Sequence, residues 1–346
     1  MVWISGSPAS SAPTKLSSAA ADNPWASGVL RGSLLTPSTL SLRTDKNKVS
    51  PDRRAAVIVN PVKVDVDPFR RTVETALTER GYGAPLWLET TEDDAGVGMA
   101  RQAIEEKVDL VLVAGGDGTV RVVCAELAGT TIPAAVLPGG TGNLLARNLG
   151  ISLEMDDALN ELLDGSDQRI DSVQIKGDQL PDDRFVVMAG LGLDAAIIED
   201  APDDLKKRVG WAAYVVSTVK NLNHPFVHVE ITIDDQPPVR RRARTVVIGN
   251  VGTLQANIPL FPDATPDDGR IDLVVLAPRR ISHWPRLALG LVIKSWRERG
   301  VERFTGKRIQ VRADRAARRE LDGDTISEGT TLVAEVDASA LVVRVP

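Results

Sequence analysis

The sequence predicts an α/β N-terminal domain with a parallel sheet, followed by a mainly antiparallel, β-rich second domain. Three observations carry this. Between residues 54 and 167, short apolar runs alternate with stretches of helical period, the pattern of a parallel sheet covered on both faces. Two of those runs end in glycine turns, Gly115-Gly116-Asp117-Gly118-Thr119 and Pro138-Gly139-Gly140-Thr141-Gly142-Asn143. After about residue 168, strand-like segments follow one another closely and alternate with period two.

The elements can be justified in order. Residues 1–50 are rich in Ser, Ala, Pro and Thr and are expected to be a disordered extension. Ala55–Val59 reads as a strand that ends at Asn60-Pro61. From Pro68 to Arg80, the apolar residues Phe69, Val73, Ala76 and Leu77 recur at helical spacing, and Gly81 stops the helix. Pro85–Glu89 is a strand, Thr90-Thr91 follows, and a helix covers about 95–107. The run from Asp109 to Ala114 is apolar, short and suited to a strand buried on both faces. Its glycine turn leads into a helix from Val120 to Leu127. Residues 134–137 repeat the pattern, with a helix over 144–149, and Asp156–Leu163 is an amphipathic helix closed by Gly165.

Further on, strands are expected at 169–176, 184–189, 227–233, 239–248 and 271–276, with helices at about 205–222 and 282–299. The domains are therefore 54–167, to which 338–346 returns, and 168–337.

A strand, a glycine turn and a helix together offer bare backbone N–H groups to a phosphate. Glycine permits positive φ and puts no Cβ between backbone and ligand. Asp117 is the odd residue in that setting, because a carboxylate beside phosphates calls for a cation between them. That points to Mg²⁺ carried in with a nucleotide.

Composition narrows the class. The chain has 346 residues and a net charge of −6, which argues against a nucleic-acid partner. A single cysteine, Cys124, rules out an internal disulfide framework and suits a reducing, cytoplasmic setting. No apolar run is long enough to cross a bilayer, so the chain is expected to be soluble or peripheral to a membrane.

The motifs GGDGT and PGGTGN at this spacing resemble those of the diacylglycerol kinase catalytic-domain family. That family includes bacterial lipid kinases and sphingosine kinases, and is distantly related to NAD kinases. The resemblance covers roughly residues 54–346. It implies an ATP- and Mg²⁺-dependent transfer of phosphate to a lipid hydroxyl, on diacylglycerol or a similar amphiphile. It implies nucleotide contacts at Asn60, Pro61, Thr90, Gly115, Gly116, Asp117, Gly118, Thr119, Gly139, Gly140, Thr141 and Asn143. An N-cap role for the Thr90-Thr91 pair, and for Asn143, stands beside that reading.

Read alone, Asp322-Gly323-Asp324 is a hairpin turn. The resemblance makes it the catalytic turn, with Asp324 as general base and Asp322 orienting it or holding metal; the reverse assignment stays open. Asp171 is drawn into one carboxylate and Mg²⁺ network with Asp117, Asp322 and Asp324. A structural Mg²⁺ is implied in the turn 262–271, on Asp268 and the carbonyls of Thr265 and Arg270.

Two positions depart from the family pattern. Arg121 and Val122 stand where Asn-Glu is usual, and Arg121 is expected either to contact phosphate or to face solvent. The basic clusters Arg240-Arg241-Arg242 with Arg244, and Arg312, Arg315, Arg318 and Arg319, suggest contact with an anionic lipid surface. The expected partners are a lipid substrate at that surface and no nucleic acid; a homodimer is left open. The three histidines, His224, His228 and His283, read as structural. Two alternatives remain: an NAD kinase, which shares GGDGT, and a catalytically silent nucleotide- or lipid-binding regulator, suggested by the replaced Asn-Glu pair.

Overall fold

The computed structural model describes residues 53–192, 226–253, 260–277 and 301–346. The extension at 1–50, both helices of the second half, His224 and His283 lie outside the described residues.

Four parallel strands open the fold: β1 (Ala55–Val59), β2 (Leu86–Glu89), β3 (Leu110–Gly115) and β4 (Ala134–Pro138). They lie in the order β2-β1-β3-β4, with Val57 beside both Trp87 and Leu112, and Val113 beside Val136. Every residue of β1, β3 and β4 is buried, which is why these runs read as unbroken apolar segments. The helices are α1 (Val66–Glu79), α2 (Val97–Glu105), α3 (Asp117–Leu127), α4 (Leu144–Asn148) and α5 (Met155–Asp164). Helix α3 starts three residues earlier than the sequence suggested. Asp117, Gly118 and Thr119 are thus its first turn and not part of the loop before it.

The β-rich half contains β5 (Ser166–Gly177), β6 (Leu180–Phe185), β7 (Met188–Leu191), β8 (Val227–Ile233), β9 (Val239–Ala243), β10 (Thr245–Gly249) and β11 (Ile271–Leu276). It closes with β12 (Val301–Gly306), β13 (Arg308–Leu321) and β14 (Asp324–Val345). The run expected as one strand at 239–248 is two strands that meet at Arg244 and go to different neighbours. Strand β9 pairs with β8, and β10 lies between β7 and β11. The stretch 184–189 likewise divides between β6 and β7.

One sheet runs through both halves, in the order β12-β11-β10-β7-β13-β14-β4-β3-β1-β2. The 22-residue β14 makes the join: its far end pairs in parallel with β4 at Val343 and Ala134, while β5 runs antiparallel along it. The β5–β14 register breaks between Asp337 and Leu341, where Ser339 takes a φ of 55°. Asp171 fills that bulge. Its two oxygens accept the N–H groups of Ser339 at 2.7 Å and Gly269 at 2.7 Å. A bulge held by a carboxylate bends the strand pair where the parallel and antiparallel parts meet.

Candidate active site

The first glycine turn lies at the C-terminal end of β3, and the second at the C-terminal end of the adjacent β4. This edge is where open α/β sheets hold ligands. The two turns pack directly on each other. A Cβ on Gly140 would lie 2.7 Å from the Cα of Gly116, and one on Gly139 would lie 3.0 Å from the backbone nitrogen of Gly115. These glycines are small for each other's sake, and none of them has positive φ. The residue with positive φ in this region is Asn143, at 49°, just before α4.

Asp117 ties the turns together. Its Oδ2 accepts the N–H of Asn143 at 3.0 Å and its Oδ1 accepts that of Leu144 at 2.6 Å. The N-terminus of α4 is therefore closed by a side chain from α3. Burial raises the Asp117 pKa, the two N–H groups pull it back, and nearby Asp324 raises it further. Asn143 does not cap α4 with its side chain. Its amide folds back on Gly140, accepting that residue's N–H and donating to its carbonyl, each at 2.8 Å.

Asn60 joins the first loop to this pair. Its Oδ1 accepts the N–H of Val62 at 3.0 Å, and its Nδ2 donates to the Thr119 hydroxyl at 3.4 Å. Pro61 begins the exposed turn that follows, while Thr119 is buried and Thr141 exposed. Thr90 is buried at the end of β2, its N–H bonded to the Val59 carbonyl at 2.9 Å. The start of α2 is served by Thr91 and Asp94: Thr91 accepts the Asp94 N–H, and Asp94 those of Gly96 and Gly98. A cavity of about 410 Å³ adjoins the second turn, lined by Lys63, Phe69, Pro138, Gly139, Gly140 and Asp156 among others.

The hairpin between β13 and β14 comes in from the other half. Leu321 pairs with Asp324 across a two-residue turn in which Asp322 (φ 46°) and Gly323 (φ 96°) both have positive φ, the pattern of a type I′ turn. Asp322 is 1% exposed and holds the hairpin to the entry of β7. Its carboxylate accepts the N–H groups of Val186 at 3.1 Å, Val187 at 3.0 Å and Met188 at 2.7 Å. Burial pushes its pKa up to about 7, against the pull of those N–H groups and of the Arg121 charge. Asp324 is exposed and reaches the first turn of α3. A Cβ added to Gly118 would collide with its Oδ2.

Carboxylates from opposite ends of the chain thus meet at one glycine, and they divide the work. Asp117 and Asp322, both expected as catalytic, spend their oxygens on backbone N–H groups, whereas Asp324 is the one presented beside the glycine turn. Asp171 leaves the expected network, because its hydrogen bonds go to the bulge and to the turn at 262–271. In that turn Asp268 is exposed and accepts the N–H of Arg270 at 2.8 Å, and Thr265 and Arg270 are exposed. Among the described residues, no group of three or more His, Cys, Asp or Glu side chains is arranged to hold a metal ion.

Arg121 takes neither of its expected roles. It is buried and pairs with Asp183 of β6 at 2.7 Å, locking α3 to the β-rich half. The basic clusters are also largely engaged within the chain. Arg240 pairs with Glu230 and Arg241 with Glu302, while Arg242 and Arg244 stack over Phe226. Arg319 is fully buried and donates to the carbonyls of Ser327, Asp178, Glu328 and Thr331. His228 pairs with Asp314 at 2.9 Å. Sequence reasoning passed over Glu320, which is buried beside Asp322; by alternation it shares the polar phase of Arg312, Asp314 and Arg318 in β13, so no local signal marked it as buried.

Comparison with known proteins agrees with this layout. The diacylglycerol kinase catalytic domain model matches residues 54–175, and the YegS C-terminal NAD kinase beta sandwich-like domain model matches residues 186–345. A "Putative lipid kinase" of Staphylococcus haemolyticus is 27% identical over 248 residues, covering 70% of this chain and 78% of the relative. Another so named, from Staphylococcus aureus, is 26% identical over 269 residues, covering 74% and 85%. The crystal structure of a diacylglycerol kinase from Bacillus anthracis shares the fold, with a TM-score of 0.67, 24% identity, and coverage of 85% of this chain and 97% of that one. With both halves matched in order, and with their aspartates and glycines meeting at a single site, the chain belongs to the diacylglycerol kinase catalytic-domain family.

Proposed function

We propose that the chain is an ATP- and Mg²⁺-dependent kinase that phosphorylates a hydroxyl of diacylglycerol or a related lipid at a membrane surface. The carrying observation is the placement of the Asp324 carboxylate against Gly118, at the N-terminus of α3. In the reaction, the lipid hydroxyl oxygen bonds to the γ-phosphorus, the bridging oxygen leaves with ADP, and the hydroxyl proton passes to Asp324. Such a base contributes roughly 10²–10⁴-fold in rate. The N–H groups at the start of α3 and the positive end of its dipole face the phosphates. Asp322 and Asp117 fix the two sides of the cleft, and the cavity lined by Lys63 and Gly139–Gly140 supports a nucleotide at this edge.

The residues fit a cation. Asp117 and Asp324 repel each other, and kinase Mg²⁺ is commonly held by one or two carboxylates plus phosphate oxygens, without a full protein cage. Asp324, with Asp117 behind it, would hold the ion, which when bound neutralises charge on the phosphates. A second cation at Asp268, with the Thr265 and Arg270 carbonyls, is drawn from the family resemblance; in that turn Asp268 also accepts the Arg270 N–H.

Incubation with γ-labelled ATP, Mg²⁺ and a mixed lipid extract, followed by mass spectrometry of the product, tests the proposal. Label in a lipid that disappears with Asp324→Asn is the expected result. No labelled lipid under any Mg²⁺ condition would sink it, and label in NAD⁺ would favour the NAD kinase alternative.

A further inference from the structure

One short segment, residues 183–188, is gripped from two directions. The hairpin grips it through Asp322, which accepts the N–H groups of Val186, Val187 and Met188. Helix α3 grips it through Arg121, whose Nη1 donates to Oδ2 of Asp183 at 2.7 Å. The Asp183 carboxylate is itself oriented, because its Oδ1 accepts the N–H of Arg184 at 2.7 Å. The segment is anchored along its length. Asp183 and Phe185 pair with Ile175 and Val173 on β5, and Met188 pairs with Gly249 on β10.

Both grips lie next to the groups that meet in the site. Gly118 and Arg121 are three residues apart on α3, about 4.5 Å along its axis, and Asp117 and Arg121 share one face of that helix. Asp322 and Asp324 flank Gly323 in one tight turn. Asp183 and Val186 are three residues apart, about 10 Å of extended chain. The segment is therefore a spacer, with the first turn of α3 fastened at one end and the hairpin at the other. The Arg121 charge is felt at both ends: burial raises the Asp322 carboxyl, and Arg121 is among the groups that pull it back. As a source of stability the ion pair is weak, since the Arg121 side chain is 11% exposed and desolvation offsets most of the attraction. What it fixes is the placement of α3. Arg121 stands where the family pattern has Asn, so this grip is a feature of this chain.

We propose that Arg121 is a positioning residue for phosphoryl transfer, its ion pair with Asp183 holding Gly118 against the Asp324 carboxylate. This rests on the kinase reading above and adds a determinant of its transfer step. Arg121 points to Asp183 one turn beyond the glycines, so nucleotide affinity does not depend on it.

The test compares wild type, Arg121→Met, Asp183→Ala and the double variant on diacylglycerol in detergent micelles, with rates scaled to the folded fraction. Each single change should lower kcat by roughly 10²-fold and leave KM for ATP within about two-fold. The double variant should lose no more than either single one, because both remove the same pair. Asp183→Asn keeps an acceptor for Arg121 and should retain more of the rate than Asp183→Ala; it also serves if Arg121→Met does not fold. An unchanged kcat, losses that multiply in the double variant, or a raised KM for ATP at constant kcat would overturn the inference. A second readout needs no activity. A Cβ on Gly118 would lie 3.2 Å from the Asp324 Cγ, so Gly118→Cys combined with Asp324→Cys brings two thiols within disulfide reach. Cys124 stays out of this reaction, because burial pushes its thiol up to about 12. Mild oxidation should close the bridge about 10-fold more slowly once Arg121→Met is added, and equal rates would overturn the inference. If wild type labels no lipid, the kinase reading falls, and the rate of bridge closure still decides whether the pair holds Gly118 to Asp324.

Discussion

The two glycine turns look alike in sequence and end up in different circumstances. Each follows a buried strand of the same parallel sheet, and each leads into a helix. The second is closed: its helix has five residues, and the first N–H groups there go to Asp117. The first opens an eleven-residue helix whose initial turn faces the exposed Asp324. The lesson is that a shared glycine pattern does not fix what the N–H groups of a turn bind. Here a carboxylate from one turn claims those of the other. The same contact braces the site, because Gly116 and Gly140 touch backbone to backbone.

The strongest way to break this contrast is at the hairpin facing the first turn. Asp324→Asn should lower turnover by roughly 10²–10⁴-fold without moving the thermal midpoint, because the side chain is exposed. Gly118→Ala comes next. Its methyl group displaces the Asp324 carboxylate, and turnover should fall by about 10–10²-fold with little loss of stability. At the second turn the outcome should reverse. Gly140→Ala forces a methyl against the Gly116 backbone and should cost about 1–3 kcal/mol in denaturant unfolding, with activity following stability.

The smallest effect is in pH dependence, and it belongs to the hairpin side. Burial raises Asp322 to about 7 and Glu320 to about 8. Unfolded, both titrate near pH 4. Between those limits the folded chain binds more protons than the unfolded one, so stability falls as pH rises from about 4 to 8. Tm measured across that range should decline, and Glu320→Gln should flatten the decline. A Tm that climbs over this interval would contradict the assigned environments of both carboxyls.

Much of this was legible residue by residue. The runs in β1, β3 and β4 are buried on both faces, so their sequences are continuous and apolar and their ends are marked by polar or glycine residues. The hairpin at Asp322-Gly323 was legible for the same local reason, since two positive φ values favour Asp-Gly. Arg121 was not. Its charge suggested phosphate or solvent, yet its partner, Asp183, comes from a strand sixty-two positions later. The split at Arg244 was hidden too, because alternation continues through a point where two strands part to different neighbours.

By itself the sequence determined the alternation of strands and helices in the first half, the two glycine turns and the tight Asp-Gly hairpin, since each is set by the torsional and burial preferences of adjacent residues. Only the tertiary structure decided which segment each carboxylate meets. Asp117, Asp171 and Asp322 are taken up by N–H groups from distant segments, Asp324 comes to rest against Gly118, and Glu320 is buried without a partner. A carboxylate's role depends on which donors reach it, and here those donors arrive through long-range strand pairing that no local pattern encodes.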